Sequence, residues 1–191
     1  GVLMLAAAVY FVGVGLSGLM QEEGAPPSRT YLWVAVACVS AAGIWLAWKT
    51  PQITSKIAPC IIFVGVGLLL SISSFAIGFQ LTDEGPIDWK YYTDEVLQAE
   101  IDENHITVIE FTAEWCLNCK FLETTVLNKP RIVDAFELDD VTPIKVDLTG
   151  NNKSGNQFLN DVGGLRIPLL IIYDGKGKEV FRGDFYTVDQ I

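Results

Sequence analysis

Two cysteines, Cys116 and Cys119, lie three positions apart in the stretch EWCLNCKFLE, between a β-rich run and a helix-like run. This spacing is typical of a redox pair, of half a metal site, or of two structural thiols. At a helix N-terminus the sulfur of Cys116 meets free backbone N–H groups and the positive end of the helix dipole, which favour its thiolate. Cys119, one turn further, can then resolve a mixed disulfide formed by Cys116.

The residues near the pair argue against a metal and against haem. A zinc site needs four ligands, but from residue 83 onward the chain has no cysteine beyond the pair and only one histidine, His105. Haem attachment requires a histidine directly after the second cysteine, where Lys120 stands instead. Two further cysteines, Cys38 and Cys60, lie in apolar segments. We expect them to be small buried hydrophobic side chains and not an electron relay.

Three apolar stretches raise the hydrophobic content of this 191-residue chain to 50% and cover about residues 1–20, 31–48 and 57–81. Each approaches the roughly 20 helical residues that cross a bilayer, and none has a charged residue in its core. A basic segment before the first stretch, which a signal peptide requires, is missing from the sequence. We therefore predict three transmembrane helices that form the end of a larger membrane domain.

The connections between the apolar stretches differ in charge and predict the orientation of the helices. The second connection contains Lys49 and Lys56 and no acidic residue, whereas the first has two glutamates and the single basic residue Arg29. Because positive charges favour the cytoplasmic side, the second connection is expected there. Everything after the third helix then faces outward, which in a bacterium is the oxidising periplasm.

The chain from Asp83 onward is acidic, with 21 Asp and Glu against 10 Lys and Arg. Such a surface argues against nucleic acid and for a soluble domain held off an anionic membrane face. After a linker at 82–87, local patterns predict strands at 88–92, 106–112, 141–146, 168–173 and 179–183, and helices at 93–103, 117–127, 130–136 and 154–162. This order predicts an α/β mixed sheet with helices on both faces. From Thr187 the chain resembles the start of a helix that is then truncated.

Two segments, FTAEWCLNCKFLE and GGLRIPLLIIYDGKGKEVFRG, resemble a thioredoxin-fold domain, and in detail the C-terminal domain of the thiol:disulfide interchange protein DsbD family. The apolar helices, with GVLMLAAAVYFVGVGL, are similar to the last part of that family's membrane domain. The resemblance implies a thioredoxin-like fold over residues 88–191, preceded by three transmembrane helices. A plain thioredoxin usually has Gly-Pro between the cysteines, and here Leu117-Asn118 takes that place.

The resemblance also implies roles for residues around the pair. It makes Pro168 a cis-proline that packs against the disulfide, and Ile167 a backbone partner for an incoming extended chain. It makes Glu110, in place of the usual aspartate, and Glu123 two carboxylates near the sulfurs. A carboxylate about 6 Å from a thiolate costs about 2.8 kcal/mol at an effective dielectric near 20, or roughly two pKa units. We therefore expect Cys116 to be less acidic than in an oxidant of the same fold, so that its thiolate forms mainly when a partner docks.

The implied function is that of a membrane-anchored protein-disulfide reductase in the bacterial inner membrane. Electrons from NADPH would reach Cys116 and Cys119 through cytoplasmic thioredoxin and the membrane domain of the same protein, and would pass to periplasmic thiol–disulfide proteins. The exchange chemistry needs no metal or organic cofactor in this domain. Two alternatives stay open: a tethered thioredoxin-like reductant dedicated to cytochrome c maturation, and a non-enzymatic membrane-anchored binding module whose disulfide is structural.

Overall fold

The chain forms two compact units, one made of residues 1–16 with 28–83 and the other of residues 17–27 with 84–191. The structure, a computed structural model, describes residues 2–20, 24–27, 29–54, 56–150 and 152–191. The first unit is built from the helix α1 (Val2–Met20) up to residue 16, α2 (Thr30–Ile53) and α3 (Ile57–Thr82). The second unit contains the mixed α/β arrangement.

By length and composition, α2 and α3 are each able to cross a membrane. In the first predicted span, the stretch of α1 whose side chains the structure describes without a gap covers Ala7–Leu16, which by itself is shorter than a bilayer requires. Two of the three predicted spans therefore have helices of sufficient length, and the first stays a prediction.

The end of α2 differs from the predicted end at residue 48. The helix continues through Pro51 to Ile53, and the hydroxyl of Thr50 donates a hydrogen bond to the Leu46 carbonyl oxygen at 2.7 Å. Because the helix extends into the predicted loop, the second connection shortens to residues 54–56, and Lys49 belongs to the last turns of α2.

Small and hydroxyl residues form the contact between α2 and α3. A Cβ atom added to Gly43 would lie 2.5 Å from the carbonyl oxygen of Gly67, so the two backbones approach as closely as glycine permits. The hydroxyls of Ser40 and Ser74 are 2.8 Å apart, and the Ser71 hydroxyl donates to the Ser40 carbonyl oxygen at 3.2 Å. Close backbone approach with hydrogen bonds across it is how helices associate where water does not drive their packing.

The prediction that Cys38 and Cys60 are both buried is wrong. Cys38 is exposed and Cys60 is half-buried, and both are free thiols. Cys38 comes two residues after Val36, one of the α2 residues buried against α3, and a step of two residues turns a helical side chain away from that face. The sequence signal was weak, because α2 is apolar over most of its surface and only a few small or hydroxyl residues, such as Ser40 and Gly43, mark its contact face.

The second unit has a five-stranded mixed sheet in the order β1-β3-β2-β4-β5. The strands β1, β3 and β2 are parallel, whereas β4 is antiparallel to β2 and β5 is antiparallel to β4. Their bounds are Lys90–Tyr91 for β1, Ile106–Thr112 for β2, Val141–Asp147 for β3, Leu169–Tyr173 for β4 and Glu179–Gly183 for β5. The predicted mixed sheet is confirmed.

Four helices flank this sheet in the described part of the unit: α4 (Asp94–Asp102), α5 (Leu117–Leu122), α6 (Pro130–Phe136) and α7 (Lys153–Asp161). Thr93 caps α4 by accepting a hydrogen bond from the Val96 N–H at 3.2 Å, and Pro130 opens α6 with its φ already fixed. The predicted helix 117–127 divides into α5 and a π-helical turn at Glu123–Leu127. That turn is closed by a 2.8 Å bond from the Asn128 N–H to the Glu123 carbonyl oxygen.

Alternate residues of the central strand β2 belong to two different cores. Ile109 and Phe111 pack in a cluster that includes both cysteines of the pair. Val108 packs in a second cluster with residues from α5, α6 and β4. Because side chains alternate along a strand, Glu110 lies on the same face of the sheet as Val108, and the strand carries one acidic residue into the second core.

Candidate active site

Cys116 and Cys119 form a disulfide at the N-terminus of α5, where Cys116 is the capping residue. The sulfur of Cys116 accepts a hydrogen bond from the Cys119 N–H at 3.3 Å. Cys116 is 7% exposed and Cys119 is fully buried. The sulfur that an incoming thiolate can reach is therefore that of Cys116, and it lies beside a helix-terminal N–H that stabilises negative charge.

The turn before α5 is held by the end of the neighbouring strand. The Cys116 N–H donates to the Ala113 carbonyl oxygen at 3.0 Å, and the Glu114 N–H donates to the Thr149 hydroxyl at 2.9 Å. Thr149 follows β3, the parallel neighbour of β2. The disulfide thus lies just past the carboxyl ends of parallel strands, where ligand sites of α/β sheets are commonly found.

The Ile167–Pro168 peptide bond is cis, and β4 begins directly after it. Ile167 packs against the cluster that contains Cys116 and Cys119. A groove of about 230 Å³ connects this loop with α5, and its lining includes Pro168, Phe121 and Phe185. The structure therefore brings the Pro168 loop and the cysteine pair together. The roles of Ile167 and Pro168 in partner binding stay predictions.

Large apolar side chains near these segments are exposed. Trp115, Leu117 and Phe121, beside the cysteines, are 53%, 82% and 56% exposed, while Leu165, beside the Pro168 loop, is 94% exposed. Phe185, in the wall of the groove, is 69% exposed. Exposed apolar residues grouped in this way mark a surface that another molecule covers.

Glu110 and Glu123 are joined through one lysine. The ammonium of Lys145 lies 3.6 Å from a Glu110 carboxylate oxygen and 3.5 Å from one of Glu123. Burial raises the pKa of Glu110 to about 7, although the charge of Lys145 opposes the rise. Glu123 also accepts a hydrogen bond from the Thr112 hydroxyl at 3.1 Å. Glu110 therefore changes its charge near neutral pH, which is the property expected of a group that exchanges protons.

A second lysine connects this network with the cysteine helix. Lys120, the residue after Cys119, lies 3.2 Å from Glu123 and 3.1 Å from Glu114, which comes two residues before Cys116. Among the described residues, the hydrogen bonds of the Glu123 carboxylate lead to lysines and to Thr112, and not to either sulfur. The structure thus brings the two predicted carboxylates together, and it surrounds them with positive charge.

Sequence reasoning missed Lys145, although a signal was present. Lys145 is the single charge among five residues of TPIKV in β3, as Glu110 is the single charge in ITVIEFT of β2, and the two residues are partners in the parallel register. The Lys145 ammonium also lies 4.7 Å from the centre of the Trp89 ring. Two opposite charges in adjacent buried strands predict an ion pair once the strand register is known.

A separate polar cluster surrounds Glu100, which is 6% exposed. Glu100 accepts hydrogen bonds from Lys90 at 2.5 Å, Thr142 at 2.6 Å and His105 at 2.8 Å. Burial acts to raise the pKa of Glu100, but these donors together outweigh it and hold the pKa at about 2. Ligand atoms of Glu100, Glu103 and His105 lie within 4.8 Å of one another, but the Lys90 ammonium already supplies the cation at this place.

Comparison with known proteins identifies this domain. Residues 88–175 match the thioredoxin-like family model. The chain carries a thioredoxin-like domain. The α/β fold predicted from the sequence is therefore confirmed, and the thioredoxin-like domain contains the cysteine pair, Glu110, Glu123 and Pro168.

Proteins similar to this chain include thiol:disulfide interchange proteins DsbD. The protein from Pseudomonas fluorescens is 25% identical over 208 aligned positions, which cover 95% of this chain and 33% of the relative. The protein from Campylobacter jejuni is 33% identical over 99 positions, which cover 51% of this chain and 17% of that protein. The solved C-terminal domain of DsbD from Neisseria meningitidis in the oxidised form has 23% identity and a TM-score of 0.43, covering 52% of this chain and 90% of that domain.

These matches confirm the resemblance to the DsbD family that the sequence predicted. Together with the Cys116–Cys119 pair they assign the thioredoxin-like domain to the thiol-disulfide oxidoreductases, so that the predicted enzyme class is also confirmed. The chain spans about a third or less of the length of these relatives. The direction of electron flow, the partners and the membrane route are therefore matters for proposal.

Proposed function

We propose that this protein is a membrane-anchored protein-disulfide reductase whose Cys116–Cys119 pair relays electrons to partner proteins outside the cytoplasm. One observation carries the proposal: the disulfide caps a helix, with Cys116 slightly exposed and Cys119 fully buried behind it. The more accessible sulfur of Cys116 can exchange with a partner, and the buried sulfur of Cys119 is reserved for the intramolecular step.

In the half-reaction that reduces the Cys116–Cys119 pair, a dithiol reductant attacks the disulfide. Its thiolate bonds to the Cys116 sulfur, the Cys116–Cys119 bond breaks, and Cys119 leaves as a thiolate that takes up a proton. The second thiol of the reductant then closes a disulfide with the first and releases Cys116. Two electrons and two protons reach the domain, and the reductant is oxidised.

In the half-reaction that oxidises the Cys116–Cys119 pair, the Cys116 thiolate attacks a partner disulfide and expels one partner sulfur. Cys119 loses its proton and attacks the Cys116 sulfur, which re-forms the internal disulfide and releases the second partner thiol. Glu110, with a pKa of about 7, is suited to accept that proton and to return it later. The exposed apolar surface that includes Leu117, Leu165 and Phe185 supports a protein partner, because burial of such residues drives association.

The membrane route is inferred from the first unit. The helices α2 and α3 are long and apolar enough to span a bilayer, and the two lysines near their connection favour a cytoplasmic location for it. With this orientation, we infer that the thioredoxin-like domain lies in the periplasm. Cytoplasmic thioredoxin, drawing on NADPH, would then supply electrons through the rest of the membrane domain, without a metal or organic cofactor in the thioredoxin-like domain.

The experiment measures the reduction potential of the pair in the full chain, held in detergent micelles and equilibrated with a series of thioredoxin redox buffers. We expect Cys116 and Cys119 to exchange with thioredoxin and to be half-reduced within a few tens of millivolts of it. The Cys38→Ser/Cys60→Ser variant should behave like the wild type, and Cys119→Ser should accumulate a mixed disulfide through Cys116. A pair that stays oxidised in fully reduced thioredoxin is a structural disulfide, and the proposal would then be wrong.

A further inference from the structure

Tyr186 is a fully buried tyrosine in the segment after β5 that none of the roles above explains. It is 1% exposed and packs in the second core cluster with Val108, Leu122 and Leu170. Val108 precedes Glu110 by two residues on the same face of β2, and Leu170 is the residue of β4 paired with Glu110. The Tyr186 ring therefore belongs to the layer of side chains that encloses the Glu110 carboxylate.

Both polar groups in this layer lack hydrogen bonds. Within the described part of the chain, neither carboxylate oxygen of Glu110 has a hydrogen-bond partner, and the Tyr186 hydroxyl has none. The Lys145 ammonium, 3.6 Å from Glu110, is at ion-pair distance and beyond hydrogen-bond distance. Leaving a buried carboxylate and a buried hydroxyl both unsatisfied costs several kcal/mol, and a water molecule that bridges them would satisfy the hydroxyl and one of the two carboxylate oxygens.

The charges around Tyr186 make it a donor. Burial and the negative charges of Glu110 and Glu123 raise the pKa of the Tyr186 hydroxyl above its ordinary value of 10, so it keeps its proton at every physiological pH. Glu110, when ionised, can only accept. The charged groups that act on Glu110 are Lys145 from β3, Glu123 from the π-helical turn and Lys120 from α5.

We propose that Tyr186 is a positioning residue whose hydroxyl donates a hydrogen bond through one bridging water molecule to the Glu110 carboxylate, and fixes its orientation for proton exchange with the cysteine pair. The functional part of this inference rests on the proposed disulfide exchange. The hydrogen bond itself does not, because it concerns the oxidised protein at rest. A donor to the ionised carboxylate favours that form and keeps Glu110 ready to accept a proton at neutral pH.

The first test follows the carboxyl carbon of Glu110 by NMR in the oxidised full chain while the pH is varied. We expect Tyr186→Phe to raise the midpoint of the Glu110 titration by about one pH unit, since one hydrogen-bond donor to the ionised form is lost. Tyr173→Phe, the same change at a half-buried tyrosine of β4, should leave the midpoint in place. An unchanged or lower midpoint in Tyr186→Phe would overturn the proposal.

A measurement on the wild type keeps the test decisive if Tyr186→Phe does not fold. The ring carbon that bears the Tyr186 hydroxyl should shift with the same pH midpoint as the Glu110 carboxyl. Independent titration of the two signals would exclude the hydrogen bond.

The second test measures the rate of partner-disulfide reduction against pH. In Tyr186→Phe the pH at which the rate is half-maximal on the acidic side should rise by the same one unit, and the maximal rate at higher pH should stay the same. If the Glu110 midpoint moves and the rate profile does not, Tyr186 does not serve the reaction and its positioning role is wrong. Failure of the wild type itself to reduce any partner would count against the proposed function, and the carboxyl titration would still decide on the hydrogen bond.

Discussion

Lys145 lies 3.6 Å from Glu110, and the two side chains form a buried ion pair between the parallel strands β3 and β2. Each charge would be costly to bury alone, so removing either member of the pair by itself would destabilise the sheet. The same lysine also approaches Glu123. One cation therefore lies at ion-pair distance from both carboxylates predicted to act near the cysteines.

Replacing Lys145 with methionine should impair disulfide reduction at neutral pH. Without the positive charge the pKa of Glu110 rises further above 7, and the carboxyl is then protonated when it should accept a proton. If the rise is one unit, the rate below the new pKa falls about tenfold and recovers at high pH. The measurement is the pH profile of partner-disulfide reduction. Lys153→Met, at an exposed lysine of α7, is the control and should keep the wild-type profile. A wild-type profile for Lys145→Met would contradict the assignment.

The stability of the thioredoxin-like domain should fall as the pH rises toward 7. The pKa of Glu110 is higher in the folded state than its ordinary 4.5, so the folded state binds this proton more tightly. Protonated Glu110 contributes about 3 kcal/mol to the free energy of unfolding; this contribution is complete below pH 4.5 and is lost as the pH rises through 7. Glu110→Gln should remove this dependence of the free energy of unfolding on pH, which is measured by proteolysis in urea. Glu95→Gln, at an exposed residue of α4, should retain it. Equal slopes in Glu110→Gln and the wild type would refute the assignment.

The carboxylates should restrain the reactivity of Cys116 in the reduced protein. Glu110→Gln and Glu123→Gln each remove a negative charge that disfavours a nearby thiolate, so alkylation of Cys116 should reach half its maximal rate at a lower pH than in the wild type. The shift should be about one unit or less, since Lys145 and Lys120 already offset part of the negative charge. If neither substitution moves the alkylation profile, the carboxylates have no part in the mechanism.

The strands and the cysteine pair were predictable because their signals are local. β2 and β5 begin and end at the predicted residues, and the strand-to-helix turn places Cys116 at a helix cap. The ion pair of Glu110 and Lys145 was not predictable, since it depends on the register of two strands that lie 35 positions apart in the sequence. A buried, uncharged tyrosine such as Tyr186 carries no sequence signal of its own.

The helix ends were less predictable than the strands. Proline usually marks the end of a helix, yet α2 continues beyond Pro51. The π-helical turn after α5 was missed, because the apolar residues of 117–127 suit one continuous α-helix and a single wide turn leaves no pattern in composition.

The cluster around Glu100 should stabilise the domain against acid. The pKa of Glu100, about 2, lies below the ordinary 4.5, so the contribution of Glu100 to the free energy of unfolding is complete above pH 4.5 and is lost as the pH falls toward 2. Because Lys90 is largely exposed and screened by solvent, the contribution is at most about 2 kcal/mol. Glu100→Gln should therefore unfold at a higher pH than the wild type in an acid titration followed by circular dichroism. Identical acid midpoints would show that the cluster contributes nothing.

The contact between α2 and α3 should depend on one glycine of α3 and not on its near neighbour. A Cβ on Gly67 would lie 2.5 Å from the Gly43 carbonyl oxygen, whereas nothing lies within 4 Å of a Cβ on Gly65. Gly67→Leu should therefore separate the helices, and Gly65→Leu should not. Cross-linking of cysteines introduced at positions 40 and 74, whose hydroxyls are 2.8 Å apart, measures the contact. Comparable cross-linking in the two variants would be incompatible with this packing.

The π-helical turn at Glu123–Leu127 divides one continuous segment into two helical frames. Each residue of an α-helix rotates the chain by about 100°, so the extra residue of the wide turn changes which side chains share a face before and after it. Before the turn, Cys119 and Leu122 are the buried side chains, and within it Val126 and Leu127 are. One short segment thereby contributes a cysteine to the first core cluster at its start and two consecutive apolar side chains to the second at its end.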